Sequence, residues 1–351
     1  MKIALLAKGP STHTIKWAQF LQKRGNKVYL LSLEPVAIEN IEVIDLAPPK
    51  LPFKTGYFLV LNKVKKLIKE INPDLLHAHY ASSYGFLGAL SRFHPYVISV
   101  WGSDVFDFPR ANPLNKLILK YALNNAEVIT STSEVMARET RKHVTGKSVL
   151  VVPFGIDTKL FHPIKKENQG LIIGTVRALE SKYGLEFLVK AFSTFQSINP
   201  AARLYIVGKG SQLKHLRNLV VGLNLEEKVK FLGPLGQEDV AKFLRTIDIF
   251  VIPSSSESFG VAALEASASG IPVIASRIGG LVETVKESRT GVFFKPNSVA
   301  DLAQKLQLLY EDSALRKKLA VEGPRFVEEE FEWESNADKM NQVYKKLVKY
   351  R

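Results

Sequence analysis

The sequence predicts an α/β protein made of two doubly wound, parallel-sheet domains in tandem. Three observations carry that expectation. Short apolar runs alternate with helical patterns along the whole chain, a single polar stretch interrupts the alternation, and 351 residues exceed what one core usually organises. Short buried strands separated by helices imply βαβ units with right-handed crossovers.

The elements follow in order. "KIALLA" (Lys2–Ala7) is a buried strand followed by a Gly-Pro-Ser loop and a helix through Trp17, Phe20 and Leu21. "KVYLLSL" and "IEVIDL" come next, then a basic amphipathic helix over about Tyr57–Ile71. "PDLLHAH", a helix, "YVISV", the loop "WGSD", a helix, "AEVITS", a helix from about Glu134 and "SVLVVPFG" complete the first domain, expected over residues 1–162. "HPIKKENQG" (His162–Gly170) is the expected linker, polar and containing Pro and Gly. The second domain, 163–330, restarts at "LIIGTVR" and runs through "RLYIVG", "KVKFLG", "IDIFVIP", "PVIAS" and "GVFF". Residues 331–351 read as a closing helix. No fixed-period repeat or low-complexity tract is present.

Ligands of open α/β sheets bind beyond the carboxyl ends of the strands, and two such sheets facing each other leave a cleft. The loops after strands are therefore where functional residues are expected. "IVGKGSQL" supplies Gly208 and Gly210 after a strand, but a dinucleotide fingerprint wants Gly or Ala where Leu213 stands, so a tight strand-to-helix turn is the better reading. His77 and His79 share one face of a strand, and the neighbouring sequence supplies no further metal ligands. Neither a Walker phosphate loop nor a G-x-S-x-G elbow occurs. No metal and no cofactor is expected.

The stretch "PSSSESFGVAALEASASGIPVIASRIGG" (Pro253–Gly280) is more informative. Its loop carries Glu257, and the helix that starts near Gly260 or Val261 carries Glu265 and stops at Gly270-Ile271-Pro272. A helix start with a glycine at its mouth is an anion site. One carboxylate on either side of it suits a ligand with a diphosphate in the middle and hydroxyls at both ends, a nucleotide-sugar. "GTVRALESKYG" places Arg177 and Lys182 beyond another strand of the same domain, where cations clamp phosphate. Taken singly, each feature also fits a surface charge, a salt bridge or a helix cap.

At these residues the chain resembles the retaining glycosyltransferases of the GT-B fold, specifically glycosyltransferase family 4. The family's E-x7-E pattern stands here as "ESFGVAALE", with "PDLLHAH", "WGSD", "VVPFGIDTKLF", "GTVRALESKYG", "FLGPL" and "FEWES" in the expected order along nearly the whole chain. The resemblance implies two Rossmann-like domains facing a cleft, the N-terminal one binding the acceptor and the C-terminal one the nucleotide-sugar, with the closing helix packing back towards the N-terminal one. It implies that Glu257 meets the donor sugar and Glu265 the ribose, that Arg177 and Lys182 hold the diphosphate, and that Gly233, Pro234 and Leu235 lie at the base. Backbone groups near Phe259, Gly260 and Val261 would line sugar and phosphates. Gly9 would approach phosphates or acceptor, and Trp101 and Asp104 of "WGSD" would complete the substrate contacts. The chain departs from the family in having Trp101 where many relatives have a histidine in contact with the donor sugar, Val176 where glycine often precedes the arginine, and Pro10 after Gly9.

The implied reaction is metal-independent, retaining transfer of a hexosyl group from a nucleotide-diphosphate donor to a hydroxyl of a glycan or lipid-linked glycan, as in polysaccharide biosynthesis. A UDP-sugar is favoured over a GDP-sugar. Another GT-B activity, a nucleotide-sugar epimerase or phosphorylase, is the enzymatic alternative.

Composition bounds the rest. The absence of cysteine removes disulfides, thiolate zinc sites and cysteine nucleophiles. The amino terminus has too short an apolar run for a signal peptide, and no run reaches the roughly 18 apolar residues that span a bilayer. A cytoplasmic protein, soluble or peripheral, is expected. The net charge is +14, of which +9 falls in residues 1–162, so anionic partners are favoured. Without an RNA-binding pattern or aromatic-basic stripe, nucleic acid is not expected. A non-enzymatic basic module is the rival from another class. The helix with Lys63, Lys65, Lys66 and Lys69 offers an anionic membrane surface an accessory contact, or is a solvated face.

Overall fold

The computed structural model describes residues 1–47, 53–164 and 171–349. Of the expected linker, residues 165–170 lie outside the described residues. The chain forms two compact units, Met1–Pro153 with the segment from Glu334 onward, and Phe154–Trp333.

In the first unit the order is β1 (Lys2–Leu6), α1 (Thr12–Lys23), β2 (Lys27–Ser32), β3 (Glu42–Asp45), α2 (Phe53–Ile71), β4 (Leu75–His79), α3 (Tyr84–Ser91), β5 (Tyr96–Val100), α4 (Ser103–Phe106), α5 (Phe108–Ala111), α6 (Pro113–Asn124), β6 (Val128–Ser131), α7 (Glu134–Arg141) and β7 (Val149–Val151). All strand pairs are parallel and the sheet runs β3-β2-β1-β4-β5-β6-β7. Strand order reverses between β1 and β4. Central strands read as mostly apolar runs because helices cover both sheet faces; every residue of β4 and β5 is buried, the polar His77, His79 and Ser99 included. Helix starts follow local chemistry: Asn112 caps α6 ahead of Pro113, and Ser133 caps α7.

The second unit runs β8 (Ile172–Val176), a 3₁₀ turn (Ser181–Tyr183), α8 (Leu185–Ile198), β9 (Arg203–Val207), α9 (Leu213–Gly222), β10 (Val229–Gly233), α10 (Gln237–Leu244), β11 (Ile249–Ile252), α11 (Val261–Ala268), β12 (Val273–Ser276), α12 (Leu281–Thr284), β13 (Gly291–Phe294), α13 (Val299–Glu311) and α14 (Ser313–Phe331). Its parallel sheet runs β10-β9-β8-β11-β12-β13, with the reversal between β8 and β11. The two doubly wound domains are as expected, and every strand expected from an apolar run is present.

The domain limits need correction. The boundary falls at Pro153/Phe154 rather than at 162, because the apolar segment after β7 packs into the second unit. Ile156 N donates to Phe331 O (2.7 Å), Trp333 N donates to Ile156 O (3.0 Å), and Arg245 Nη2 reaches Leu160 O (3.2 Å). Polarity marks a change of composition in the sequence, whereas the packing boundary lies where Phe154, Ile156 and Phe161 become buried. The closing helix α15 (Trp333–Lys349) belongs from Glu334 onward to the first unit, as the resemblance implied.

A buried polar ladder ties α15 to the first sheet. Tyr344 Oη lies 2.5 Å from His77 Nδ1, His77 Nε2 lies 2.8 Å from Ser99 Oγ, and Ser99 Oγ lies 2.6 Å from Thr130 Oγ1. Arg24 adds exposed ion pairs to Glu334 (3.0 Å) and Asp338 (2.7 Å). The two histidines of β4 are therefore buried structural groups. Among the described residues no cluster of three or more His, Asp or Glu could hold a metal ion. Burial lowers His77 to about 3, and burial followed by Lys16 lowers His13 to about 4. The unfolded chain protonates these imidazoles near pH 6.5 while the folded one keeps them neutral. Between pH 6.5 and about 4 the unfolded state thus binds more protons, so stability falls as pH falls. The urea midpoint is expected to drop steadily from about pH 7 to 5; a flat midpoint across that window contradicts the neutral buried histidines.

Candidate active site

The reversal between β8 and β11 makes the loops after these strands neighbours, and they hold the residues singled out from the sequence. Arg177 follows β8 and Glu257 lies in the loop after β11; the guanidinium Nη2 and Glu257 Oε2 form a hydrogen-bonded ion pair. Both side chains are nearly buried, 9% and 11% exposed. Removing either partner leaves the other as a nearly buried, unpaired charge, which lowers stability. Arg177 also stacks on the Tyr183 ring, 4.2 Å from its centroid, and its Nε is buried without a hydrogen-bond partner.

Lys182 enters the same site through backbone stitching. The carbonyl of Lys182 accepts from Ser255 N (2.9 Å) and Ser256 N (3.3 Å), which docks the 3₁₀ turn onto the Glu257 loop. The docking requires Gly184, whose φ is +64 and where a Cβ would lie 2.1 Å from Pro253 O. The Lys182 ammonium is exposed and 5.5 Å from the Tyr183 ring, so this ring supports both cations.

Glu257 is held from behind. Gly280 N donates to Glu257 O (2.9 Å), and a Cβ on Gly279 would lie 2.1 Å from that oxygen. α11 starts at Val261, after Gly260 at φ +100, and its first-turn N–H groups point back along the axis. Glu265, half-buried, sits on this helix. The Phe259 side chain is buried against Phe154 and Phe331, and its carbonyl accepts from Thr284 Oγ1 (3.1 Å). Phe259 therefore anchors the loop ahead of the α11 start. The glycine at 260 is required by its left-handed φ and by packing, since a Cβ there would meet Leu281 Cδ2 at 2.7 Å.

Gly208 and Gly210 form a packing turn. A Cβ on Gly208 would lie 1.8 Å from Arg177 O, and one on Gly210 would lie 2.4 Å from Leu179 O. Gly208 N donates to Gly233 O (2.8 Å). The carboxyl edge of the sheet thus presents a connected row in strand order: the partly exposed Gly233-Pro234-Leu235 loop, the glycine turn, Arg177, and then the Glu257 loop with α11.

Three candidates lie in the first unit. Trp101, half-buried, opens the loop after β5. Asp104 is fully buried; its oxygens accept from Ala81 N (2.9 Å), Gly102 N (2.8 Å) and Trp101 N (3.2 Å), and burial raises its pKa against these donors. The expectation of a substrate contact is corrected here: Asp104 positions the loop. At Gly9 the space a Cβ would need is filled by Glu34 O at 2.4 Å and Val36 N at 3.0 Å of its own chain, and its N–H donates to Ser32 Oγ (2.9 Å).

Sequence reasoning missed Tyr183, Gly184, Thr284 and the Gly279-Gly280 pair. The paired glycine in "SRIGG" was the available signal.

With this geometry in place, the comparisons are decisive. Residues 157–326 match the glycosyl transferases group 1 family and residues 2–133 match the glycosyl transferase 4-like family. The chain belongs to the glycosyltransferases of group 1, of the family 4 type. It is 26% identical over 338 residues to N-acetyl-alpha-D-glucosaminyl L-malate synthase of Bacillus anthracis, covering 92% of this chain and 86% of that one. It is 28% identical over 308 residues to D-inositol 3-phosphate glycosyltransferase of Corynebacterium jeikeium, covering 79% and 73%. In fold it is similar to sucrose-phosphate synthase of Thermosynechococcus elongatus, with a TM-score of 0.87, 23% identity and full coverage of both chains. It is also similar to Anabaena HepE solved with UDP-glucose, with a TM-score of 0.83, 20% identity and 99% and 100% coverage.

Proposed function

We propose that this glycosyltransferase moves a hexosyl group from a nucleotide-diphosphate sugar, with a UDP-sugar favoured and a GDP-sugar the alternative, to a hydroxyl of a glycan or lipid-linked glycan. Transfer retains the anomeric configuration and is metal-independent. The observation that carries this reading is the buried Arg177–Glu257 pair at the strand reversal, with the Lys182 turn stitched beside it and the start of α11 behind it. The UDP-glucose complex of a protein of the same fold supports the donor class.

The bond that breaks joins the anomeric carbon to the diphosphate oxygen, which leaves positive charge on the sugar and negative charge on the departing diphosphate. Arg177, Lys182 and the α11 N–H groups stabilise the leaving group, and their value is greatest when they are already oriented. Glu257, on the other side of the guanidinium, places a carboxylate against the sugar and its developing positive charge. Glu265 takes the ribose hydroxyls, and the Gly233–Leu235 loop takes the base. An epimerase of the same fold is separated by product analysis with and without acceptor.

A peripheral membrane contact is a second reading, favoured by one observation. Helix α6 exposes Leu114 (64%) and Leu117 (63%), carries Lys116 and Lys120, and has no acidic residue. On α2, Lys63, Lys65, Lys66 and Lys69 are all exposed, with Lys66 3.7 Å from Glu70. Among the described residues no helix is long and apolar enough to cross a membrane. Apolar side chains rimmed by lysine suit an anionic bilayer surface.

Two tests follow. A nucleotide at about 100 times its dissociation constant is expected to stabilise the protein by roughly 2.7 kcal/mol in a thermal-shift panel, and Arg177→Ala and Lys182→Ala each to lose roughly 100- to 1,000-fold in turnover. Absence of any nucleotide response, or near-normal turnover in both variants, sinks the donor site. For the membrane contact, co-sedimentation with vesicles of phosphatidylserine and phosphatidylcholine should exceed that with phosphatidylcholine alone and fall in Leu117→Glu. Equal sedimentation with both vesicles rejects it.

A further inference from the structure

The turn "GKGS" (Gly208–Ser211) lacks a dinucleotide fingerprint, yet its geometry is specific. It follows β9, the neighbour of β8, and β8 leads into the loop that carries Arg177 and Lys182. Pairing of the two strands runs on past their ends. Arg177 N donates to Val207 O (2.9 Å), Leu179 N to Lys209 O (2.9 Å) and Gln212 N to Leu179 O (2.8 Å). The glycines admit this approach: a Cβ on Gly210 would lie 2.4 Å from Leu179 O and 2.7 Å from Glu180 Oε1.

Glu180 continues the seam with its side chain. It stands in extended conformation (φ −118, ψ 152) just ahead of the 3₁₀ turn Ser181–Tyr183, the position from which a carboxylate ordinarily caps its own turn. Its side chain makes no such cap. It reaches instead to the neighbouring loop, where Oε1 accepts from Ser211 N (2.9 Å) and Oε2 from Ser211 Oγ (2.5 Å). Both oxygens are thus engaged by one residue 31 positions away. The Ser211 hydroxyl and then its N–H hold the Glu180 carboxyl below the usual carboxylate range, with a smaller pull from Lys182.

The place of this clip gives it a consequence. Glu180 lies between Arg177 and Lys182 in the chain. On the other flank of the turn the Lys182 carbonyl accepts from Ser255 N and Ser256 N of the Glu257 loop. The main-chain seam to the β9 loop ends at Leu179, and the Glu180 carboxylate carries it on to the turn that bears Lys182. Two cations spaced along one loop act together on an anion only when the loop between them keeps its shape, because preoriented groups spend no binding energy on ordering.

We infer that Glu180 is a positioning residue for the diphosphate clamp: through Ser211 it holds the turn carrying Lys182 in register with Arg177. The inference rests on the donor-site reading of those two cations and deepens it. It also gives the "GKGS" turn a role, as the anchor of the clamp rather than a nucleotide fingerprint of its own.

The test is a calorimetric titration of UDP and GDP into the parent, Glu180→Ala, Glu180→Gln, Ser211→Ala and the Glu180→Ala/Ser211→Ala double variant. Uridine and guanosine binding is read alongside by saturation-transfer NMR. Glu180→Ala is expected to bind the diphosphate that the parent prefers about tenfold more weakly, and to lose donor kcat/KM to a similar extent, while nucleoside binding stays unchanged. Glu180→Gln keeps an acceptor for Ser211 N and should recover affinity to within about threefold of the parent. The double variant should be no weaker than Glu180→Ala, since the two residues act as one unit. Parent-like diphosphate affinity in Glu180→Ala overturns the inference. Equal losses for nucleoside and diphosphate also overturn it, by marking a general loosening of the domain, as do additive losses in the double variant. A parent that binds neither diphosphate brings down the donor reading itself, whereas a binding parent with an unaffected Glu180→Ala brings down the positioning role alone.

Discussion

The second unit is organised around one buried ion pair, Arg177 with Glu257. A guanidinium and a carboxylate withdrawn from water are tolerable only together, and their attraction is strong because little solvent screens it. The strand reversal between β8 and β11 makes the pair geometrically available. The surrounding glycines then tighten the loops until nothing larger than hydrogen fits at 184, 208 or 279. Tyr183 closes the arrangement by supporting Arg177 from its ring face. The result is a preoriented charge pair at the strand reversal.

Much of this was legible in the sequence, for identifiable reasons. Buried parallel strands announce themselves as mostly apolar runs, so β1, β4, β5, β8 and β11 could be placed directly. A glutamate in a loop and another eight positions on, along a helix, is a pattern of local spacing, which sequence preserves. Contacts between distant segments are not preserved in this way. That Arg177 and Glu257 would pair, that Tyr183 would stack beneath the guanidinium, and that Gly279 would press against the Glu257 carbonyl all depend on how loops after β8, β11 and β12 meet. Asp104 was misread for the same reason. It sits in a loop of the expected kind, yet the groups it meets are backbone N–H groups of its own chain. The boundary at 153 was hidden because burial of Phe154, Ile156 and Phe161 is decided by α14 and the start of α15, far along the chain.

The two units use one topology for different chemistry. Both reverse strand order at the centre of a parallel sheet, and both gather their distinctive residues in the loops beyond that point. The second unit gathers charge: a guanidinium, an ammonium, carboxylates and a helix start. The first sets the half-buried Trp101 on the buried ring of His79, although most of the chain's net positive charge lies in the same part of the sequence.

We propose that Glu257 restrains the Arg177 charge before a donor binds and acts on the sugar during transfer. Calorimetric titration of UDP into Glu257→Gln, alongside the transfer rate of the same variant, tests it most directly. The glutamine keeps the shape and removes the negative charge beside the diphosphate, so UDP should bind at least as tightly as to the parent while transfer falls by about 100-fold or more. A folded variant that binds UDP tenfold more weakly, or that transfers sugar at the parent rate, contradicts it.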